Sequence, residues 1–511
     1  MSLFSLSVTN VSVVRKLARI LTIIPDFGVS LKVASRIIHI SNDMNQKTYT
    51  RKAFVKGVAV ATAGFMIVPR HVLGGKGFLA PSDKVTVGVV GAGGKGRQNT
   101  AALLKLPDVQ VTAIADPAPY WDLKDFYYKS IAGRGPVKEM IENHYQSVDA
   151  NFKINEYVDF REMLAKESSL DAILCSTPDN THAYVSIQVM RAGKHVYCEK
   201  PLTHNIWEAR KVREVARETG LATQMGNSLH SGEGIRQTVE YLRDGAIGKV
   251  REAHTWVPAS RWNPGLTGLP TGPAMDEQAI GWDLWLGPTP YMPCHKEYTP
   301  VAWRDFWALG CGALGDFGCH DLDPSVWAFD LQAPESVEIF PAGYSDADIA
   351  PYGEIGYYHF VKQGDQPEFK QVWYSGGLQP SRPDELPEGV ELPSRGSLFI
   401  GKKGVIVTGA GGSNPRIFPE KRGARYDPPK PSIPRSNGHY RDWIDAIKGG
   451  PAASANFEYG ARLTEITLLG VLSLRLGGKK IYWDGENMRA KGLPEADQYL
   501  REPVRPGWEM S

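Results

Sequence analysis

Cysteine is scarce in this chain. Among 511 residues there are five, Cys175, Cys198, Cys294, Cys311 and Cys319, an odd number, widely spaced and without a C-x-x-C pair. That excludes a disulfide framework and a thiolate zinc site, and leaves buried free thiols as the plain reading. Charge of one sign is missing too. The 58 Lys and Arg against 56 Asp and Glu give a formal net charge of +2, which offers no electrostatic footprint for nucleic acid or an anionic membrane surface. No apolar run reaches the ~18–20 residues that cross a bilayer, so no stable membrane span is expected. Internal repeats and heptads are absent. What remains is ordinary for a folded protein: 42% hydrophobic and 22% charged residues, with 53 Gly and 36 Pro for turns and ordered loops. The length exceeds one ordinary core and suits two domains with an added front end.

The front end is residues 1–80. Gly57 to Val68, G-V-A-V-A-T-A-G-F-M-I-V, has the length of a signal-peptide apolar region and follows T-R-K-A-F-V-K, with Arg51, Lys52, Phe54 and Lys56. This pattern resembles a twin-arginine export signal with Lys52 in place of the second arginine. Met44 lies just upstream of it. Residues 1–43 then read as an upstream extension or, alternatively, as a basic amphipathic helix over Lys16 to Ile40. The expected location is the periplasm, or the cytoplasm if the segment does not act as a signal. Cleavage after it stays open, because Pro69 to Ala80 holds no clear A-x-A site.

Residues 81–228 read as a nucleotide domain. The β-branched run K-V-T-V-G-V-V (Lys84 to Val90) leads into G-A-G-G-K-G, which sets Gly91, Gly93 and Gly96 in G-x-G-x-x-G spacing, and a helix-like stretch, Arg97 to Leu106, follows. A second strand, V-Q-V-T-A-I-A, ends at Asp116, 20 residues after Gly96. Strand, glycine turn, helix and distal acid form the dinucleotide fingerprint. The helix N-terminus offers unpaired N–H groups to the pyrophosphate. Asp116 would accept from ribose hydroxyls and repel a 2′-phosphate, which favours NAD over NADP. Further strands end at T-P-D-N-T-H, with Thr177, Pro178 and His182, and at Y-C-E-K-P, with Glu199, Lys200 and Pro201. Alternating strands and helices predict a Rossmann-type doubly wound parallel sheet, whose ligands sit at the carboxyl ends of its strands. Those residues fall there.

The glycine loop, T-P-x-x-x-H, E-K-P and, further on, G-A-L-G-D-F-G-C-H-D-L-D with Asp316, His320 and Asp323 together resemble the Gfo/Idh/MocA family of glucose–fructose oxidoreductase and inositol dehydrogenase. The resemblance covers Lys84 to the C-terminus. It implies that Lys200, Asp316 and His320 meet at the reacting sugar carbon. Elementary chemistry agrees: oxidising a secondary alcohol needs a proton acceptor, and a histidine with an unperturbed pKa near ~6.5 suits that task. Lys200 would stabilise alkoxide charge, and Asp316 would orient substrate hydroxyls or tune the histidine. Asp316, His320 and Asp323 stand at i, i+4 and i+7, one face if the segment is helical. No metal-ligand spacing supports a metal there.

Residues 229–511 read as an α+β substrate domain on a large, mostly antiparallel open sheet. Its strand-like runs are Val250–Val257, Ser336–Phe340, Ile355–Val361, Lys370–Trp373, Ser397–Ile400 and Gly404–Thr408, and its late helices are His439–Lys448 and Ala461–Leu476. The resemblance implies a homo-oligomer, dimer or tetramer, through that sheet. Trp256, Trp262, Trp282, Trp285, Trp303 and Trp307 precede the Asp316 motif; some would stack on sugar C–H faces and others would be core. Asn227, Arg261, Trp262, Trp303 and Arg304 are the substrate-binding candidates. The expected activity is NAD-dependent hydride transfer between a sugar or polyol hydroxyl and a tightly bound cofactor. The alternative is a glycoside hydrolase or lyase using transient NAD-dependent oxidation, although family members with that activity carry a different motif at E-K-P.

Overall fold

Val85–Val90, β-branched at every second position and buried on both faces, forms β1 at the centre of a parallel sheet. The structure, a computed structural model, describes Leu79, residues 83–364 and residues 366–510; the export-type segment lies outside the described residues. After β1 come α1 (Gly94–Leu103), β2 (Val109–Ala115), a hairpin of β3 (Trp121–Leu123) and β4 (Ser130–Ala132), and α2 (Arg134–Gln146). Then follow β5 (Asn155–Tyr157), α3 (Phe160–Lys166), β6 (Ala172–Cys175), α4 (Asp179–Arg191), β7 (His195–Cys198), α5 (Ile206–Thr219) and β8 (Thr223–Met225). The parallel sheet runs β5-β2-β1-β6-β7-β8. With the hairpin set aside, this is the doubly wound 3-2-1-4-5-6 order, and the chain reverses direction between β1 and β6, which opens a ligand crevice at their carboxyl ends.

The remainder contributes α6 (Glu233–Arg243), β9 (Val250–Trp256), α7 (Gly312–Asp321), β10 (Ser336–Ala342), β11 (Gly353–Phe360) and β12 (Phe369–Tyr374). It continues with β13 (Gly396–Gly401), β14 (Gly404–Thr408), β15 (Arg416–Phe418), α8 (His439–Ile447), α9 (Phe457–Arg475), β16 (Ile481–Asp484) and β17 (Arg489–Ala490). These strands make a nine-stranded sheet, β15-β14-β13-β9-β12-β11-β10-β16-β17, antiparallel except where β9 pairs β12. Ile339, Tyr358, Trp373 and Phe399 point from one face into a core shared with α7 and α9. Asn456 caps α9 by accepting from the Glu458 and Tyr459 N–H groups. On the other face, Leu386 of the loop 379–395 packs with Trp256, Val372 and Leu398.

Two expectations shift. Helix α8 does not cover the second sheet; Trp443 and Ile444 pack beneath the parallel sheet with Val87, Val111 and Tyr197, and Arg441 binds Asp108 at 2.6 Å. Its apolar stripe fits either sheet, and only the tertiary path decides between them. Asp323 is not a third residue on the Asp316–His320 helix face, because α7 stops at Asp321 and Asp323 begins a new short helix. Among the described residues no helix is long and apolar enough to cross a membrane, and all five cysteines are buried and unpaired.

Candidate functional site

One cavity of about 500 Å³ opens at the carboxyl ends of β1, β2, β6 and β7. At one end is the glycine turn. Gly91 takes φ +85°, and a Cβ there would meet the Ser176 backbone at 2.7 Å, so only glycine serves. A Cβ on Gly96 would stand 2.0 Å from the Gly91 carbonyl oxygen, which is the close helix–strand approach the third glycine allows. A Cβ on Gly93 would meet nothing within 4 Å, because it faces the cavity. Gly93 also caps α1 with no side-chain hydrogen bond, so the first N–H groups of α1 stay available to an anion. The hairpin lays Tyr128 against Gly94, its ring atoms 2.4 Å from where a side chain at 94 would begin.

Asp116 closes this end. Its Oδ2 accepts from the Ala92 N–H at 2.5 Å and its Oδ1 from the Ala118 N–H at 2.8 Å. Each oxygen keeps a lone pair for a hydroxyl donor. Burial pushes the carboxyl up to about 6, with the two N–H groups opposing, so it is ionised at neutral pH. An ionised acceptor beside a side-chain-free anion cradle suits the ribose and pyrophosphate of NAD. Thr177 and Pro178 line the cavity after β6. His182 lines it as well, but its ring is a brace: Nδ1 contacts the Pro201 carbonyl at 2.7 Å and Nε2 the Thr177 carbonyl at 2.8 Å. Glu199 is buried behind the glycine helix and accepts from Asn99 Nδ2 at 2.8 Å.

At the other end charges are packed together. Lys200, on the turn after β7, donates to both the Asp316 carboxylate and, at 2.9 Å, the Asp316 carbonyl. The Arg304 guanidinium lies 3.2 Å from the same carboxylate and 4.2 Å over the Trp303 ring. Burial alone would raise Asp316, but Lys200 and Arg304 hold it well below the usual carboxylate range. Burial would lower Lys200, and Asp316 reverses that, so the ammonium is kept. His320, one turn along α7 from Asp316, lies well below the ordinary imidazole range, through burial first and then the Lys200 and Arg395 charges. A neutral imidazole beside an ammonium is an acceptor and donor pair suited to one hydroxyl.

The substrate candidates divide. Trp262, 40% exposed at the mouth and stacked on Tyr127 at 5.7 Å, Trp303 and Arg304 line the cavity, as does Trp285. Trp256, Trp282 and Trp307 are core. Arg261 must be corrected: its guanidinium is spent on the carbonyls of Asn263, Tyr344, Ala350 and Pro264, at 2.9 to 3.2 Å, and it pins a loop instead of facing the cavity. Asn227 is corrected as well. It is wholly buried behind His320 and lies outside the cavity lining.

Sequence reasoning missed Asp179, Tyr127, Tyr128, Arg395 and Trp508, all in the lining. Asp179 sits inside the quoted T-P-D-N-T-H motif, so position beside Pro178 was an available signal. Arg395, bidentate on buried Asp321, arrives from a proline-rich loop with no local cue. Trp508 packs on Tyr184 at 4.8 Å, under the Arg161 guanidinium at 4.5 Å. Among the described residues no group of three or more His, Cys, Asp or Glu is placed to hold a metal ion.

Comparison with known proteins bears on this geometry. Residues 137–227 match a family model described as oxidoreductase family, NAD-binding Rossmann fold, and residues 255–361 match its companion, oxidoreductase family, C-terminal alpha/beta domain. Curated relatives include proteins named glycosyl hydrolase family 109 from Shewanella sp. (strain W3-18-1) and Shewanella baltica (strain OS155), 23% and 24% identical over 228 residues. The match takes in 42% of this chain and 47% of each relative, so the chain spans about half the length of the curated relatives it matches. The fold is similar to that of the WlbA dehydrogenase of Bordetella pertussis, solved with NADH and UDP-GlcNAcA, at TM-score 0.51 and 16% identity over 78% of this chain and 99% of the other. An NAD-binding protein from Listeria innocua aligns at TM-score 0.50 and 16% identity, over 78% and 97%.

Proposed function

We propose that this chain, whose residues 137–227 and 255–361 match the two domain models of the Gfo/Idh/MocA oxidoreductase family, moves hydride between a secondary hydroxyl carbon of a sugar or polyol and a tightly held NAD. One observation carries the reading: Lys200, from the turn after β7, converges with Asp316 and His320, both on α7, in the same cavity as the glycine turn.

When bound, NAD supplies the hydride acceptor. The rest is done by the chain. The carbinol C–H pair leaves as hydride, the hydroxyl proton goes to the neutral His320 ring, and a carbonyl forms. Lys200 donates to the hydroxyl oxygen and stabilises alkoxide charge in a buried setting, where such a contact is strongest. Asp316 holds Lys200 in place, and Asp316 and its partner Arg304 offer hydrogen bonds to neighbouring hydroxyls. Trp262, Trp303 and Tyr127 present flat faces that suit sugar C–H surfaces and exclude water.

Tight retention is supported by two elements outside the parallel sheet. Tyr128 covers the glycine helix at Gly94, and Trp508 walls the cavity between α3 and α4. A cofactor held this way must be regenerated in place, by reducing a second sugar or by a redox-neutral cycle. That property suits export to the periplasm, where free NAD is not expected. The sheet face carrying Phe340, Ile400 and Tyr482, all exposed, is the proposed contact of a homo-oligomer; sizing by light scattering tests it.

The curated relatives favour a second reading. Oxidation to a ketone acidifies the adjacent C–H, so loss of that proton can expel a glycosidic substituent, which leaves protonated as its alcohol, and water adds in its place before the ketone is reduced again. Purified protein is expected to carry NAD, and a panel of free sugars should change its reduced-nicotinamide absorbance. If glycosides are cleaved with no net absorbance change, the second reading replaces the first. If neither occurs and no nucleotide is extracted, both are wrong.

A further inference from the structure

Behind His320 lies a chain of polar groups that the reaction does not touch. His320 Nδ1 is 2.9 Å from Asn227 Oδ1. Asn227 Nδ2 is 2.9 Å from Asp323 Oδ2. That same oxygen is 2.8 Å from His230 Nδ1, and Asp323 Oδ1 accepts from the Tyr459 hydroxyl. Asn227 and Asp323 are 0% exposed and His230 is 1% exposed. His230 is further clamped between the Trp327 ring at 4.0 Å and Tyr459 at 4.8 Å.

The directions of these bonds are forced. An ionised carboxylate only accepts, so Asn227 must turn its NH2 toward Asp323 and its carbonyl oxygen toward His320. A carbonyl only accepts, so Nδ1 of His320 must carry the proton. Nε2 is then the lone-pair nitrogen, the one left for the cavity that His320 lines. Asp323 Oδ2 accepts from Asn227 and lies against His230 Nδ1, and Oδ1 accepts from Tyr459, so both carboxyl oxygens have partners. A freely rotating amide would give no such order, because its two ends fit either tautomer.

We infer that Asp323, acting through Asn227, is a positioning residue that fixes the proton-accepting tautomer of His320. Asp323 itself touches neither cavity nor cofactor. The inference rests on the reading of His320 as the base only for its effect on turnover; the tautomer is a property of the protein alone.

The groups facing His320 are Lys200 from the end of β7, Asp316 on its own helix, Arg395 from the long loop and Lys95 on α1. Asp323 faces His230, Tyr459 and, further off, Arg236. Among the described residues the Asn227 side chain hydrogen-bonds to His320 and Asp323, so Asp323 is the group that orients its amide.

The test uses the full chain with its bound nucleotide and selective 15N-histidine labelling, the His320 signal being assigned with H320A. Wild-type His320 should show a protonated Nδ1 and an unprotonated Nε2. In Asp323→Asn the amide loses its bias, so the Nδ1–H form should give way to a mixture, and kcat should fall at least about tenfold with KM and nucleotide content unchanged. The double variant N227D/D323N reverses the polarity: the new carboxylate at 227 accepts from both the His320 ring and the amide at 323. It should restore Nδ1–H and most of kcat, with the acidic limb of the pH profile moved upward because a carboxylate now touches the ring. A merely structural role for Asp323 predicts no rescue and no such movement. Should D323N not fold, Asn227→Leu asks the same question and should lose the Nδ1–H form. A wild-type tautomer in D323N or N227L, or a double variant no better than D323N, overturns the inference. A fixed tautomer in a protein that turns over no sugar leaves it standing and breaks the functional proposal instead.

Discussion

Around Gly91 to Gly96 the cavity is made by leaving side chains out, whereas around Lys200 it is made by crowding buried charges together. The first end tolerates no Cβ at Gly91 or Gly96 and presents backbone N–H groups. The second end gathers Lys200, Asp316, Arg304 and His320 into one desolvated cluster in which each charge holds its neighbour's protonation state. Backbone binding is insensitive to pH and intolerant of volume. A charge cluster depends instead on the protonation of its members, and removing one leaves a buried partner unpaired and resets the others. Binding and chemistry should therefore come apart under mutation.

The largest effect is expected at the glycine end. Gly96→Val would drive a side chain into the Gly91 carbonyl, 2.0 Å from its Cβ position, and the purified protein should carry essentially no extractable nucleotide. A G96V protein that keeps its nucleotide would end the contrast. Next come His320→Ala and Lys200→Ala, which should lower turnover by roughly 10²–10⁴-fold while nucleotide content stays at the wild-type level. Loss of nucleotide in either would show that the charge cluster also holds the cofactor.

A smaller effect belongs to Trp508, which buries its ring against Tyr184 and Arg161 beside the cavity. Trp508→Ala should speed nucleotide release by about tenfold, the equivalent of ~1.4 kcal/mol, read by dilution into a nucleotide scavenger, with kcat unchanged at saturating NAD. The smallest is a pH effect at Asp116 of the glycine end. Burial holds the Asp116 carboxyl up at about 6. Its acceptor form is therefore complete above that value and lost as pH falls through it, so nucleotide affinity should weaken below about pH 6. Asp116→Asn should flatten that dependence in an affinity titration. Turnover should keep a separate profile, because a neutral base is required and His320 stays neutral to well below the usual imidazole range.

Legibility follows the same division. The glycine turn, its flanking strands and Asp116 lie within about thirty positions, and each obeys a local rule: a β-branched run, a positive-φ glycine, a helix start, an acid at the next strand's end. Strands such as Gly404–Thr408 emerged with the expected bounds for the same reason. The charged end joins Lys200 to Asp316 across 116 positions, and only its family-like motifs brought the two together in advance. Arg261 and Asn227 show where composition misleads. An arginine among the tryptophans and an asparagine at the end of the nucleotide half look like sugar ligands, yet both are engaged by the protein's own polar groups, and burial decides that. Arg395 and Trp508 had no signal at all, since a proline-rich loop and an aromatic near the described end say nothing of where they return.

By itself the sequence determined a parallel nucleotide sheet, the loop that cradles phosphate and the acid that favours NAD, because backbone geometry and side-chain periodicity act over a few neighbours. Only the tertiary structure decided which charges share a cavity, which tryptophans face it, that α8 supports the first sheet, and that Asn227 and Asp323 stand in line behind His320. Those outcomes depend on desolvation and on the direction of hydrogen bonds between groups far apart in the chain. Neither exists until the chain has closed on itself.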